Sequence, residues 1–228
     1  PNASGALPSS QSISAATNTS MEELSKRIDQ FLDVDELRLA NQITTVDHAL
    51  FRQIDPSELF VFATQNGVMR LHMTNHPALH LNVFLHRAED VMYWVVSEVL
   101  VCAKHAIDEQ RFSAARGSTM GRGGAPAASA APGDAPSMQR AQKVISKFIS
   151  LAFRMLEMNN MHSAFAVLCG LRHPCIARLR RSLWAGLSPA TQNGFDELSS
   201  LFEFSSGYKR YKEYLSAIPD ADVYPVLP

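Results

Sequence analysis

Residues 138–170 read MQRAQKVISKFISLAFRMLEMNNMHSAFAVLCG, a long apolar stretch that is interrupted by two asparagines. Its apolar side chains recur at the spacing of one helix face, and further apolar residues widen this face. They are Val144, Phe148, Leu151, Ala152 and Met155, with Ile145, Ile149 and Leu156 beside them. Because so wide an apolar face does not suit a helix that lies on a surface, it predicts a helix buried in an all-helical core.

The pair Asn159-Asn160 is expected to end this helix. Asparagine tolerates the left-handed backbone conformation of a helix end, and its side chain can satisfy unpaired backbone groups there. A polar pair between two buried helices is either a cap or a contact surface. The residues alone leave both interpretations open.

The composition excludes several classes of protein. The 228-residue chain is 46% hydrophobic and 19% charged, with a net charge of −1, which gives no electrostatic reason to expect nucleic acid as a partner. Three cysteines without a CxxC pair are typical of reduced thiols inside a cell. The longest apolar run, residues 91–103, is too short to span a bilayer. We therefore expect a cytoplasmic protein without direct membrane insertion, and its start at Pro1 without a signal-like segment predicts a piece of a longer chain.

The pattern along the chain predicts a disordered lead-in over residues 1–20 and one helical domain over residues 21–228. A flexible, Gly- and Ala-rich insertion is predicted over residues 113–137, and residues 63–77 are expected to be irregular. The predicted helices start near Met21 and at the Asp55-Pro56-Ser57-Glu58 cap, and also cover residues 34–51, 89–111, 138–158, 161–171, 190–204 and 208–217. A short basic element is expected around residues 176–185. Since no segment alternates like a strand, the predicted fold class is all-α.

Four histidines, His72, His76, His80 and His86, first suggest a metal site, because residues four apart share a helix face. Pro77 interrupts that helix, however, and no nearby carboxylate completes a ligand set. A structural or solvent-exposed role is therefore favoured, and we predict neither a metal nor a cofactor.

Two further clusters have ordinary structural interpretations. The arginines of the first, Arg172, Arg178, Arg180 and Arg181, could bind phosphate but are expected to flank an amphipathic turn. The second cluster is more typical of a core than of a cofactor site: Phe195, Leu198, Leu201, Phe202, Tyr208, Tyr211 and Leu215. No phosphate-binding glycine loop, Ser-His-Asp arrangement or pair of catalytic carboxylates stands out. Protein binding is therefore the leading class of function.

Three blocks of sequence follow one another in a specific order. The first is VDELRLANQIT at residues 34–44, followed by Asp47, Leu50-Phe51 and Pro56-Ser57-Glu58-Leu59. The second comprises Leu85-His86-Arg87, Trp94-Val95 and Glu98-Val99-Leu100. The third is RAQKVISKFI at residues 140–149, followed by Asn159-Asn160, Gly170-Leu171, residues 176–179, Trp184 and residues 208–211. Over residues 24–228 this order resembles the catalytic domain of Ras-type guanine-nucleotide exchange factors.

The resemblance implies an irregular orthogonal helical domain that binds a Ras-like small GTPase, of the Ras, Rap or Ral type, at its switch regions. Such a domain promotes GDP release without making or breaking a covalent bond and needs no cofactor. It also implies that the protein is recruited to the inner face of a membrane through its GTPase.

The resemblance also assigns candidate GTPase-binding residues. Leu85 and Ala152 would line a hydrophobic pocket for switch 2, with Arg87 nearby on the same surface. Asn159 would offer its amide to the GTPase, whereas Asn160 would either do the same or hold the helix end. Where the family has Arg-Phe-Asn, this chain has Arg87-Ala88-Glu89, so an aromatic anchor is replaced.

The end of the sequence raises an alternative. Residues 223–228 resemble the block that precedes the family's helical hairpin, which moves switch 1 away from the nucleotide, and the sequence stops there. We therefore expect either a truncated exchange-factor domain or a non-catalytic relative that binds a GTPase, or scaffolds other proteins, without exchange.

Overall fold

The computed structural model describes residue 23 and residues 26–64, 78–119 and 136–219. The chain divides into two compact units, Pro1–Val34 and Asp35–Pro228. In the first unit, residues 26–33 form helix α1, in which Ile28 and Phe31 have little exposed surface. Met21 and Leu24, predicted to begin this helix, lie outside the described residues, as does the predicted lead-in.

The secondary-structure elements in the described ranges of the second unit are all helices, and the predicted all-α fold is confirmed. Its helices are α2 (Glu36–Phe51), α3 (Pro56–Thr64), α4 (Leu79–Thr119), α5 (Pro136–Glu157), α6 (Met161–Arg172), α7 (Pro174–Ala177), α8 (Arg180–Trp184), α9 (Pro189–Leu201) and α10 (Lys209–Ser216). None of the helices in these ranges is both long and apolar enough to cross a membrane.

The ends of α4 and α5 correct the predicted insertion over residues 113–137. Helix α4 continues to Thr119 and α5 already begins at Pro136, so only residues 120–135 lie outside the described part. Residues 114–116, Ala-Ala-Arg, are strong helix formers, and their preference prevails over Gly117. Of the stretch 63–77 that was expected to be irregular, Ala63 and Thr64 belong to α3, and the rest is outside the described residues.

Helix α5 is the centre of the core, as its wide apolar face predicted. It packs against α2, α4 and α6, and its buried face includes Val144, Phe148, Leu151 and Met155. Lys147 is buried as well, and its Nζ lies 3.9 Å from Glu36 Oε1 of α2. Lysine is rarely buried unless it is paired, and this ion pair accounts for the burial of Lys147 between α5 and α2.

Helices α4 and α6 lie very close together at Gly170. A Cβ atom built at this position would lie 2.7 Å from Val95 Cβ and 2.8 Å from the backbone oxygen of Met92. Both distances are shorter than a normal carbon contact, so the glycine sets the distance between the two helices. These helices also form the walls of the pocket described below.

The amino-terminal end of α4 is capped by Glu58 of α3. Glu58 Oε2 accepts a hydrogen bond from the Leu81 amide at 2.9 Å, and Oε1 lies 2.7 Å from His80 Nδ1. The sequence placed Glu58 at the third position of its own helix start, and the start itself is confirmed, since Asp55 Oδ1 accepts from the Ser57 amide. The carboxylate thus joins α3 to α4 and satisfies a backbone donor that α4 cannot pair internally.

Replacing Glu58 with glutamine is expected to lower the free energy of unfolding by about 1–2 kcal/mol at neutral pH. Burial opposes ionisation of Glu58, but hydrogen bonds from the Leu81 amide and His80 outweigh it and hold its pKa below the ordinary value. Because the folded-state pKa is the lower one, the carboxylate contributes full stability above the unfolded-state pKa of about 4.3. That contribution is lost as the pH falls through the folded-state pKa.

Urea denaturation at pH values from about 3.5 to about 7 measures this effect, because this range includes the pKa of an unfolded glutamate, about 4.3. We expect the wild-type protein to lose stability at the acid end more steeply than Glu58→Gln. Equal acid dependence in the two proteins would show that Glu58 is not the carboxylate responsible.

Candidate functional site

The chain turns sharply between α5 and α6 at Asn159, which has a positive φ of 58°. The turn is fixed by two backbone hydrogen bonds, from Asn159 N to Leu156 O and from Asn160 N to Met155 O, both 2.8 Å long. Asparagine adopts this left-handed conformation more readily than most residues. The prediction that the asparagine pair ends the helix is therefore confirmed. We call residues 158–160 the Asn159 corner.

Asn160 is the cap of α6. Its Oδ1 accepts a hydrogen bond from the Ser163 amide at 3.1 Å, and its Nδ2 donates to Asp47 Oδ2 at 2.7 Å and to Thr44 Oγ1 at 3.1 Å. Only 1% of Asn160 is exposed. The prediction that Asn160 contacts a partner is therefore corrected in favour of its alternative, the structural cap, because a side chain without exposed surface cannot reach a partner.

Asp47 of α2 lies at the centre of this polar cluster. Its Oδ2 also accepts a hydrogen bond from Ser163 Oγ at 2.5 Å, and its Oδ1 lies 3.4 Å from Arg87 Nε of α4. Asp47 is 1% exposed, whereas the Arg87 side chain retains 28% of its surface. Three helices, α2, α4 and α6, are thus joined through one buried carboxylate, and Arg87 connects it to the surface.

Asp47 was not among the predicted site residues, although the sequence pattern contains a signal for it. The buried face of α2 consists of Ala40, Ile43 and Asp47, which follow one another at helical spacing. A carboxylate on an apolar helix face has to find donors in the core, because a buried charge is otherwise very unfavourable. Such a residue is a candidate for a structural or functional network.

An apolar pocket of about 360 Å³ opens beside the Asn159 corner. Its lining is contributed by α4, by the start of α6 and by the chain from the end of α9 through α10. The lining residues are Leu85, Ala88, Met161, His162, Phe165, Phe202, Tyr208, Tyr211, Lys212 and Leu215. We call this site the aromatic pocket. Met161, which directly follows the Asn159 corner in the chain, places corner and pocket next to each other.

The aromatic rings of the pocket support one another. Ring centroids lie 5.1 Å apart for Phe165 and Phe202, 5.5 Å for Phe202 and Tyr211, and 6.4 Å for Tyr211 and Tyr208. These distances are typical of tilted aromatic pairs. The interpretation of these side chains as core is correct for Phe202 and Tyr211, which are buried, but both residues also line the pocket.

His162 forms an uncharged part of the pocket wall. Its ring stacks on Phe84 with centroids 3.9 Å apart, and its Nε2 lies 3.0 Å from the Phe84 carbonyl oxygen, to which it donates. Burial lowers the pKa of His162, and the positive charge of Arg87 acts in the same direction, whereas Asp47 opposes them. The imidazole is therefore neutral at physiological pH, and this wall stays apolar.

The structure places Leu85 and Asn159 at surface clefts, Arg87 half-buried beside Asp47, and Ala152 in the core. Leu85 lines the aromatic pocket, and Asn159 lines a neighbouring polar cleft of about 480 Å³ together with Asn41, Thr44, Thr45, His48, Glu157 and Met158. Ala152 is a correction: it is 0% exposed, in the middle of α5. It lies in the core and has no surface to offer a partner.

The remaining candidates have local partners. His80 pairs with Glu58, and His86 Nδ1 lies 3.0 Å from Glu89 Oε2, whereas His72 and His76 lie outside the described residues. Within the described ranges no three potential metal-binding side chains come together. Arg180 lies over the rings of Trp184 and Phe195, at 5.2 and 5.0 Å, so this member of the arginine cluster does flank an amphipathic turn.

Comparison with known proteins identifies the class to which this fold and site belong. The model of the RasGEF domain matches residues 38–228, and the chain belongs to this family. It is 25% identical over 219 residues to the Ras-specific guanine nucleotide-releasing factor RalGPS2 of Mus musculus, covering 96% of this chain and 30% of that protein.

Other relatives carry related names. The Ras guanine nucleotide exchange factor F of Dictyostelium discoideum is 27% identical over 183 residues, which cover 80% of this chain and 13% of that protein. The Rap guanine nucleotide exchange factor 5 of Rattus norvegicus is 23% identical over 192 residues, covering 84% and 26%. The chain thus spans about a third or less of the length of these relatives.

Proposed function

We propose that this protein is a guanine-nucleotide exchange factor that binds a Ras-like small GTPase at its switch regions and promotes the release of GDP. The observation that carries this proposal is the aromatic pocket beside the Asn159 corner, in a chain of the RasGEF family. The names of the relatives refer to Ras and Rap, and these types, together with Ral, are the partners that we propose.

The aromatic pocket supports binding of a protein segment rather than covalent chemistry. Its lining is mostly apolar and aromatic, and burying one large apolar side chain of a partner there would contribute about 1.5–3 kcal/mol. Lys212 lines the pocket, and Arg87 lies two residues beyond Leu85 on α4, so cationic groups are close to its apolar lining. Asn159 adds an amide that can donate and accept hydrogen bonds.

A protein with this site can accelerate GDP release by binding alone. If it binds the nucleotide-free GTPase more tightly than the GDP-bound form, the affinity of the GTPase for GDP must fall by the same factor. The GTPase population then shifts toward the nucleotide-free state, which GTP can occupy. No residue has to act as a nucleophile or proton carrier, so we do not propose an enzyme of covalent chemistry. We place the protein in the cytoplasm, recruited to a membrane through its GTPase.

One observation favours the alternative, a non-catalytic domain that binds a GTPase without exchange. Ala88 lines the aromatic pocket at the position where the family resemblance implies a phenylalanine. A smaller side chain gives a partner less apolar contact area, and with it less binding energy to distort the GTPase. The two functions differ in one property: an exchange factor binds the nucleotide-free GTPase more tightly than the GDP-bound GTPase, whereas a non-catalytic binding domain has no such preference.

Release of fluorescent GDP tests the proposal. The full-length protein is mixed with Ras-, Rap- and Ral-type GTPases, each loaded with fluorescent GDP, and release is followed against excess unlabelled nucleotide. We expect GDP release from one GTPase to be at least about tenfold faster, which corresponds to an activation free energy of release that is lower by about 1.4 kcal/mol. Binding without acceleration would favour the alternative, and neither binding nor acceleration with any GTPase would contradict both.

Replacing Asn159 with glycine is expected to weaken binding to a nucleotide-free GTPase by about tenfold, the effect of one lost hydrogen bond of about 1.4 kcal/mol. Glycine accepts the positive φ of this residue without strain, whereas alanine would add a steric penalty. Thermal unfolding of the variant should therefore remain close to that of the wild type. Unchanged affinity would remove Asn159 from the proposed contact surface.

A further inference from the structure

We propose that Asp47 is a positioning residue, which acts through Asn160 and Arg87 to hold the GTPase-binding surface in its binding arrangement. This inference rests on the proposed function, since it assigns a role at the same site. It concerns a side chain that no partner can touch, because Asp47 is 1% exposed.

Within the described part of the chain, the polar contacts of the Asp47 carboxylate lead to elements of the proposed surface. Oδ2 accepts from Asn160 Nδ2 and from Ser163 Oγ, both in the first turn or cap of α6. Oδ1 lies 3.4 Å from Arg87 Nε on α4, the helix that also contributes Leu85 to the aromatic pocket. The two walls of the pocket nearest the Asn159 corner are thus connected through one charged group.

Asn160 transmits the effect of Asp47 to Asn159. The Asn160 side chain is held on one side by Asp47 and Thr44 and on the other by the Ser163 amide, so its orientation is fixed. Its backbone amide donates to Met155 O at 2.8 Å. With the following residue fixed in this way, the peptide of Asn159 has little freedom to leave its left-handed conformation, which is the less favourable one for a residue with a side chain.

The choice of a charge at this position is itself informative. Stability alone is often served as well or better by apolar residues that pack in the place of a buried ion pair. A carboxylate, unlike an apolar side chain, can orient several hydrogen-bond donors at once. Here Asp47 contacts two donors at the start of α6 and one cation of α4. This favours a role in the geometry of the surface.

Asp47→Asn is the sharpest variant, because it keeps the shape of the side chain and removes its charge. One of its two ends becomes an NH₂ donor, which must face the donors of α6 or the guanidinium of Arg87. Glu58→Gln is the matched control: Glu58 is also a buried carboxylate that connects two helices, but its donors are the Leu81 amide and His80.

Two measurements are made on both variants. Amide hydrogen exchange followed by mass spectrometry should show at least tenfold faster exchange for the peptide that contains residues 159–164 in Asp47→Asn, and no change there in Glu58→Gln. Affinity for the nucleotide-free GTPase should fall at least tenfold in Asp47→Asn and by less than twofold in Glu58→Gln, at a temperature where circular dichroism shows all proteins folded.

A double-mutant cycle separates positioning from general loss of stability. In a protein that already carries Asn159→Gly, Asp47→Asn should weaken binding by a smaller factor than in the wild type, because part of its effect passes through Asn159. Equal factors in both backgrounds, or unchanged exchange at residues 159–164, would overturn the inference. Wild-type protein that binds no GTPase would overturn the proposed function, whereas wild-type affinity in Asp47→Asn would overturn only the role of Asp47.

Discussion

Replacing Gly170 with alanine is expected to lower the free energy of unfolding by about 3 kcal/mol, a large effect for the addition of a single methyl group. The new Cβ would lie 2.7 Å from Val95 Cβ and 2.8 Å from the Met92 backbone oxygen. Neither atom is the end of a flexible side chain, so α4 and α6 would have to move apart. That movement outweighs the gain of about 1 kcal/mol that alanine has over glycine in a helix.

Gly194→Ala is the matched control for this prediction. Gly194 is also a helical glycine, but a Cβ there would meet Phe153 Cε2 at 3.2 Å and Ile149 Cγ2 at 3.3 Å, both of which belong to side chains that can shift. We expect its stability to stay within about 1 kcal/mol of the wild type, measured by urea denaturation. Equal stability of the two variants would contradict a close approach of α4 and α6 at Gly170.

The second large effect is expected on binding. Leu85→Glu places a carboxylate in the aromatic pocket, where a partner's apolar side chain would have to share the site with a charge. We expect the affinity for the nucleotide-free GTPase to fall by at least about a hundredfold, or about 2.7 kcal/mol. Because the pocket is open to solvent in the free protein, the glutamate can remain hydrated and the fold should persist.

Val83→Glu is the control on the same helix. Val83 is 44% exposed and does not line the aromatic pocket, so a charge at this position should leave affinity within about twofold, equal to about 0.4 kcal/mol. Circular dichroism should show both variants folded at the temperature of the binding assay. Similar loss of affinity in both variants, or in neither, would mean that the pocket is not the site of contact.

The sequence predicted the helical core well, because the apolar spacing is strong within each of the helices α5 and α6. It was less successful at the ends of α4, where the helix begins at Leu79 and continues through residues that a composition argument assigned to an insertion. Local composition is a weak guide there, since helix-forming alanines prevail over the neighbouring glycine.

The candidate site was predicted only in part. Leu85 lines the aromatic pocket and Asn159 the neighbouring polar cleft, and their contact with a GTPase stays a prediction. Ala152 is in the core, because a small residue of α5 gives no sequence signal for the direction it faces. The far wall of the pocket, which includes Tyr208 and Tyr211, could be recognised as apolar but not as part of the site. Its position depends on how α10 packs against α9, which no local pattern specifies.

The affinity of the protein for a GTPase in different nucleotide states tests the proposed function most directly. Equilibrium binding is measured with nucleotide-free and with GDP-bound GTPases of the Ras, Rap and Ral types. An exchange factor must bind the nucleotide-free form more tightly than the GDP-bound form. We expect this preference to be at least about a hundredfold for one of the GTPases, because binding of the exchange factor lowers the affinity of that GTPase for GDP by the same factor. Equal affinity for both states, or no binding to any of these GTPases, would contradict the account.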